Sequence, residues 1–142
     1  MIKVLKLQLL LLIIFSASVS IIAKTPCVVP NPVEYRSARG VFKPSGSANI
    51  YVSPQSAINL DLARQWLDET GINTNLTTDS TAADITLLLQ QGATGNAEGY
   101  TLKIAPKSVT IAADTDAGLI WGLQTLRQIY RGEGKLPCCS IT

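Results

Sequence analysis

Residues 98–128, EGYTLKIAPKSVTIAADTDAGLIWGLQTLRQ, decide the fold. From Gly99 to Ala105 the apolar Tyr100, Leu102 and Ile104 alternate with Thr101 and Lys103, the period of a half-buried strand. Pro106-Lys107 is a tight turn, and Ser108 to Ala113 alternates again through Val109 and Ile111. Two alternating runs across a short turn make a β-hairpin. The period then changes. Leu119, Ile120, Leu123, Leu126 and Tyr130 follow helical spacing to about Arg131. Asp114 can cap this helix, Asp116 suits its positive end, and Arg127 and Arg131 suit its negative end. Gly132 to Gly134 stops it.

Upstream, Gln90 to Gly99 is a polar, glycine-containing loop, and Asp84 to Leu89 is a strand through Ile85, Leu87, Leu88 and Leu89. Asn73 to Thr77 alternates weakly. Leu60, Ala63, Trp66 and Leu67 give a second amphipathic helix, running to about Thr70 and stopped by Gly71. Ser53-Pro54 is expected to start that helix, with serine as cap and proline at the first helical position. Asn49 to Val52 is a short apolar strand. Residues 24–48 carry Pro26, Pro30, Pro32 and Pro44 with Gly40 and Gly46, so most of this stretch is expected to be an extended lead-in. Leu136 to Thr142 begins a further element. The order is strand, helix, strand, strand, hairpin, helix, with two helices covering one face of a sheet of roughly four to six strands.

The chain has 142 residues, about one domain. That is too short for an eight-fold β/α barrel, which takes at least ~200 residues. With no histidine, it cannot hold a Ser-His-Asp triad, a Cys-His pair or a His-ligated zinc. Twelve basic side chains stand against ten acidic ones, and two of the twelve, Lys3 and Lys6, lie at the extreme N-terminus. The remainder is balanced and offers no basic face for nucleic acid.

Residues 1–23 read as a secretory signal: Lys3 and Lys6 form the positive region, and Leu7 to Phe15 is apolar apart from Gln8. Small residues follow at Ser16, Ala17, Ser18, Ser20 and Ala23, so cleavage fits after either Ala23 or Ser20. An uncleaved membrane anchor and a lipoprotein through Cys27 are the alternatives. Lys24-Thr25-Pro26 is unlike the small, aliphatic residues that lipoprotein processing requires. Cys27, Cys138 and Cys139 make an odd count for an exported chain. Neighbouring cysteines rarely bond each other, so either could pair with Cys27, or all three could be small apolar residues.

No residue pattern carries catalysis. Asp68-Glu69 is the only adjacent carboxylate pair, but neighbours on a helix point about 100° apart and cannot serve one substrate. Asp114 and Asp116 read as helix-start residues. Gly92, Gly95 and Gly99 lack the Gly-Lys-Ser/Thr ending of a phosphate loop, and Gly132-Glu133-Gly134-Lys135 has the wrong spacing. Trp66 and Trp121 could stack on a sugar, but each sits in a helix that needs a core face, so both are expected to pack. Asn75-Leu76-Thr77 fits the N-glycosylation pattern. The expected catalytic, cofactor-binding and metal residues are therefore none, and no cofactor is implied.

Three runs carry a family resemblance: Glu98 to Ile104, Val109 to Ala113, and above all Ala117 to Gln128. They resemble the EGY-x-L strand, hairpin and G-L-x-x-G-x-Q-T-L helix of the N-terminal domain of β-N-acetylhexosaminidases of glycoside hydrolase family 20. Pro30-Asn31-Pro32 and Gly40-Val41-Phe42 also fit, and Leu136-Pro137 with Ser140-Ile141 resembles the linker into the family's barrel. The likeness covers about residues 26–142. It implies an α+β / α/β fold, a mixed, largely antiparallel sheet with two helices on one face, as in the zincin-like N-terminal domain of the family. It also implies a two-part enzyme whose separate barrel removes terminal, non-reducing N-acetylhexosamine. There the substrate's own acetamide oxygen attacks the anomeric carbon, and an Asp-Glu pair on the barrel orients it and protonates the leaving oxygen. Asp68-Glu69 is not that pair.

The expected organisation is a signal over 1–23, the N-terminal domain over 24–135, and the start of a linker over 136–142. The expected role is a non-catalytic piece of an exported hexosaminidase, periplasmic or extracellular. Its partner is the catalytic barrel, and N-acetylhexosamine glycans are reached through that barrel. A standalone secreted module binding glycans or a protein, and a decayed gene product, are the rival readings.

Overall fold

The computed structural model describes Val28, residues 31–44 and residues 46–142. The leader expected over 1–23, and Pro26, Cys27 and Pro30, lie outside the described residues. Seven strands form one sheet: β1 (Tyr35–Val41), β2 (Ala48–Val52), β3 (Thr74–Leu76), β4 (Ile85–Leu89), β5 (Tyr100–Ile104), β6 (Val109–Ala113) and β7 (Pro137–Ile141). Two helices join them, α1 (Leu60–Asp68) between β2 and β3, and α2 (Asp116–Glu133) between β6 and β7. The sheet order is β1-β7-β5-β6-β4-β2-β3.

The hairpin forms as its alternation requires, with Leu102 opposite Ile111 and Ile104 opposite Val109. Ala105 donates its N–H to the Ser108 carbonyl at 2.8 Å to close the turn. Side chains of one pleat then line up across strands. Ile50, Ile85, Val109, Ile104 and Cys139 form one row, and Val52, Leu87, Ile111, Leu102 and Ile141 the next. Most of these ten are buried, and both rows face the helices. α2 lies across β6, β5 and β4, and α1 packs beside it over β3. Leu119, Leu123, Leu126 and Ile129 of α2 and Ala63 and Leu67 of α1 complete this core. The opposite pleat mixes polar Asn49, Thr86, Thr110, Lys103 and Ser140 with Tyr51, Leu88, Ala112 and Cys138.

The mixed sheet with two helices on one face is the expected fold. Its pairings divide evenly, three parallel and three antiparallel, where mostly antiparallel ones were expected. The reason is three connections: α1 returns the chain parallel from β2 to β3, the segment through Ser80–Ala82 carries it from β3 to β4, parallel to β2 on its other side, and β5 returns it so that β6 runs parallel to β4.

Three expectations are corrected. Residues 136–142 do not begin a linker: β7 is an interior strand, antiparallel to β1 on one side and β5 on the other. Leu136, Cys138, Cys139 and Ile141 are buried, so the strand belongs to the domain. The lead-in segment contains strand β1, so the sheet has seven strands where four to six were expected. Ser53-Pro54 does not start α1. Ser53 prolongs β2, donating its N–H to the Leu87 carbonyl at 2.9 Å and accepting Leu89 N–H at 3.0 Å. Asn59 is the cap, accepting from Asp61 and Leu62 N–H at 3.0 and 3.1 Å.

Candidate functional site

The chemically capable side chains fall into three places. The first is the C-terminal end of α1, where Glu69 accepts from Arg127 Nε at 2.6 Å and from Arg131 at 2.7 Å. Trp66 lies beneath the Arg127 guanidinium, 5.8 Å from its ring centre, a cation–π contact. The Arg127 hydrogen bond, aided by the charges of both arginines, holds Glu69 below the usual carboxylate range. Asp68 and Glu69 both border an open surface hollow with Asp61, Arg64 and Gln65, but Glu69 is committed to the two arginines, so the adjacent pair is not a working pair.

The second place is the loop before β5. Asp114 was expected to cap α2; Thr115 does so instead, its hydroxyl accepting Gly118 N–H at 3.3 Å. Asp114 reaches back about twenty residues. It accepts Ala93, Thr94 and Gly95 N–H at 3.1, 2.9 and 2.9 Å, the Thr94 hydroxyl at 2.7 Å, and Gly92 N–H as well. These donors, the Thr94 hydroxyl first, hold its carboxyl down to about 2. The polar, glycine-containing loop is thereby tied to the start of α2. Asp116 likewise accepts from the Ser56 hydroxyl at 2.5 Å and Ala57 N–H at 3.1 Å, fastening α2 to the segment before α1. The loop borders a cleft of about 320 Å³ lined by Asn31, Val33, Thr94, Gly99, Tyr100 and Thr142 among others.

The third place is α2's outer side. Trp121, expected to pack, is 46% exposed. The helix buries Gly118, Leu119, Gly122, Leu123 and Leu126, and Trp121 stands off that stripe. No periodicity argument separated the two tryptophans, because Trp121 is flanked by apolar residues on both sides. Tyr100, by contrast, packs on α2: a Cβ at Gly122 would lie 3.3 Å from its ring, and its hydroxyl pairs with that of Thr125.

The remaining candidates are structural. Cys139 is in the core row, where burial pushes its thiol up to about 11, and Cys138 is buried on the other pleat. Both thiols are free. Asn75 is exposed on the edge strand β3. Among the described residues, no group of three or more His, Cys, Asp or Glu could hold a metal, and no helix is long and apolar enough to cross a membrane.

A general acid or base needs a carboxyl poised near working pH, so a glycosidase acid is shifted up. Glu69, Asp79 and Asp114 are all shifted down by donors that hold them ionised. Their geometry builds structure.

Residues 25–142 match the family model described as "Glycosyl hydrolase family 20, domain 2". The chain belongs to this family. Solved structures share its fold. The beta-N-acetylhexosaminidase from Bacteroides fragilis superposes with a TM-score of 0.67 at 24% identity, covering 80% of this chain and 24% of that one. A Streptomyces plicatus beta-hexosaminidase variant bound to GlcNAc gives 0.65 at 26% identity, covering 82% and 26%. The exo beta-N-acetylglucosaminidase from Vibrio harveyi gives 0.59 at 22% identity, covering 80% and 18%. The family 20 domain thus spans about a quarter or less of the length of these structures. The comparison with curated proteins found no match.

Proposed function

We propose that this chain is the non-catalytic N-terminal domain of an exported β-N-acetylhexosaminidase, with the chemistry in a catalytic barrel that these residues do not form. The observation that carries the reading is the family match over 25–142, in a chain that corresponds to about a quarter of the hexosaminidases it superposes on. The state of the carboxylates supports it, since the shifted ones are committed to ion pairs and loop hydrogen bonds. Export, to the periplasm or beyond the cell, is proposed on the Lys3, Lys6 and Leu7–Phe15 pattern. In this reading the substrate is a terminal non-reducing N-acetylhexosamine, gripped and hydrolysed by the barrel, and the domain's own contribution is structural.

A standalone glycan-binding module would need aromatic rings gathered on one face. Trp66 lies under Arg127, Tyr100 packs on Gly122, and Tyr51 belongs to the pleat away from the helices. Trp121 alone stands out.

The test is turnover of an aryl N-acetylglucosaminide. A preparation of these 142 residues, verified by intact mass, is expected to release no aryl alcohol. The product of the reading frame followed beyond codon 142 is expected to release it. Turnover by the short chain, abolished by a hexosaminidase inhibitor, overturns the reading.

A further inference from the structure

The near-even charge expected from the sequence conceals a segregation. Nine lysines and arginines lie among the described residues, and three of them, Arg64, Arg127 and Arg131, are on the helices. The other six, Arg36, Arg39, Lys43, Lys103, Lys107 and Lys135, are all exposed and gather at one corner of the sheet. Backbone pairing brings them there. Arg36 lies opposite Ser140, and Ser140 opposite Lys103, so both bases stand on the helix-free pleat. They are two strand spacings apart, about 10 Å. Lys43 donates its N–H to the Pro106 carbonyl at 3.2 Å, beside Lys107 in the hairpin turn. Phe42 donates its own to the Leu136 carbonyl at 2.9 Å, which sets Lys135 next to the same stretch. Arg39 precedes Gly40, where a Cβ would lie 3.4 Å from Pro106.

Acids are sparse at this corner. Glu34 is paired with Arg36 at 3.1 Å, Asp84 accepts Asn49 N–H at 2.8 Å, and Glu133 is half-buried. The five bases other than Arg36 form no ion pair among the described residues. The opposite end of the same hairpin is the reverse. There residues 89–99 and 113–118 hold Glu98, Asp114 and Asp116 and no lysine or arginine. Unpaired like charges repel, and an anionic partner relieves that repulsion.

The arrangement selects the form of the anion. Arg36 and Lys103 stand on the pleat, whereas Lys43, Lys107 and Lys135 lie around the strand ends. A flat bilayer meets one of these two surfaces, and a linear polyanion can follow both. The large exposed apolar side chains, Val33, Leu60, Leu76 and Trp121, all lie elsewhere, so nothing at the corner enters a lipid layer. We infer that this corner binds a linear anionic polysaccharide, one bearing carboxylate or sulfate groups. It holds the enzyme on the polymer whose N-acetylhexosamine ends the barrel removes. The choice of a polysaccharide rests on the functional reading above; the basic surface does not.

The probes are polygalacturonate and dextran sulfate, with uncharged dextran as the blank, titrated into the 142-residue chain. Both polyanions are expected to bind at about 50 mM salt and to weaken at least about ten-fold by about 300 mM, as screening of exposed charges requires. The triple variant Lys43→Gln, Lys103→Gln, Lys107→Gln is expected to weaken binding at least about ten-fold. A second triple variant, Gln65→Glu, Thr78→Glu, Gln91→Glu, makes the same change in net charge on exposed residues elsewhere. It is expected to weaken binding less than about two-fold. No binding of either polyanion, equal losses in the two variants, or tighter binding to anionic phospholipid vesicles or single-stranded DNA overturns the inference. Absent binding, beside a longer product of the frame that hydrolyses the aryl glycoside, leaves the functional reading standing. Binding beside a longer product without turnover keeps the surface and removes that reading.

Discussion

Gly118 sets how close α2 lies to the sheet. A Cβ there would sit 2.7 Å from Ala113 Cβ and press on the Gly99 carbonyl oxygen. Alanine gains about 1 kcal/mol of helix propensity, whereas overpacking costs about 1–3 kcal/mol. Because one obstacle is backbone and cannot turn aside, Gly118→Ala is expected to destabilise by about 2 kcal/mol in urea unfolding. Gly132, in the same helix with open space at its Cβ, supplies the contrast. Gly132→Ala is expected to stabilise by about 0.5–1 kcal/mol. Asp114 gives a pH signature. Its carboxyl is held down to about 2, below the unfolded value, so its contribution is complete at neutral pH and fades as pH falls from about 4 through 2. Asp114→Asn is expected to lower the Tm by several degrees at pH 7 and to flatten its fall below pH 4. A parallel fall in both proteins sinks this account. That role was hidden in the sequence: an aspartate just before a helix resembles a cap, and nothing local shows that residues 92–95 will fold around it.

Among the elements, the hairpin, α1, α2 and β4 were legible because each repeats its apolar residues at its own period. β1 and β7 were not. β1 is exposed along most of its length, so YRSARGV shows no alternation, and β7 begins with a proline and two cysteines. Their pairing joins residues a hundred positions apart, which no window of sequence displays. The pair also contains an irregularity between Ser37 and Val41, where Gly40 takes φ +112° and approaches Cys138. β7's position predicts that a chain ending at residue 135 loses cooperative unfolding. β1 would lack its partner and β5 one of its two; a sharp, wild-type-like melt of that truncation would contradict the placement. The α1–α2 clasp is weaker. Arg131 and Glu69 are substantially exposed, so Glu69→Gln is expected to shift the Tm slightly, and the difference to vanish at about 1 M salt.

At the scale of the molecule, the family was legible in residues 98–128, because Glu98 to Leu102 and Gly118 to Leu126 resemble the family's EGY-x-L strand and G-L-x-x-G-x-Q-T-L helix. The exposure of Trp121 was not legible there, since an exposed and a buried tryptophan look alike in a helix pattern. The two ends of the sheet add a last point. Glu34 donates its N–H to the Thr142 carbonyl at 3.1 Å, and Thr142 donates its own to the Glu34 carbonyl at 3.1 Å. The polypeptide comes in and leaves through one doorway. A unit built this way can be spliced onto a host protein without stretching or dividing the host, and it hangs from a single attachment point. Sewing Thr142 to the residues just ahead of Glu34 and opening the chain at the Pro106-Lys107 turn should leave the sheet intact. Such a permutant would begin and end at the far corner of the domain, where a host could no longer hold it in the same orientation.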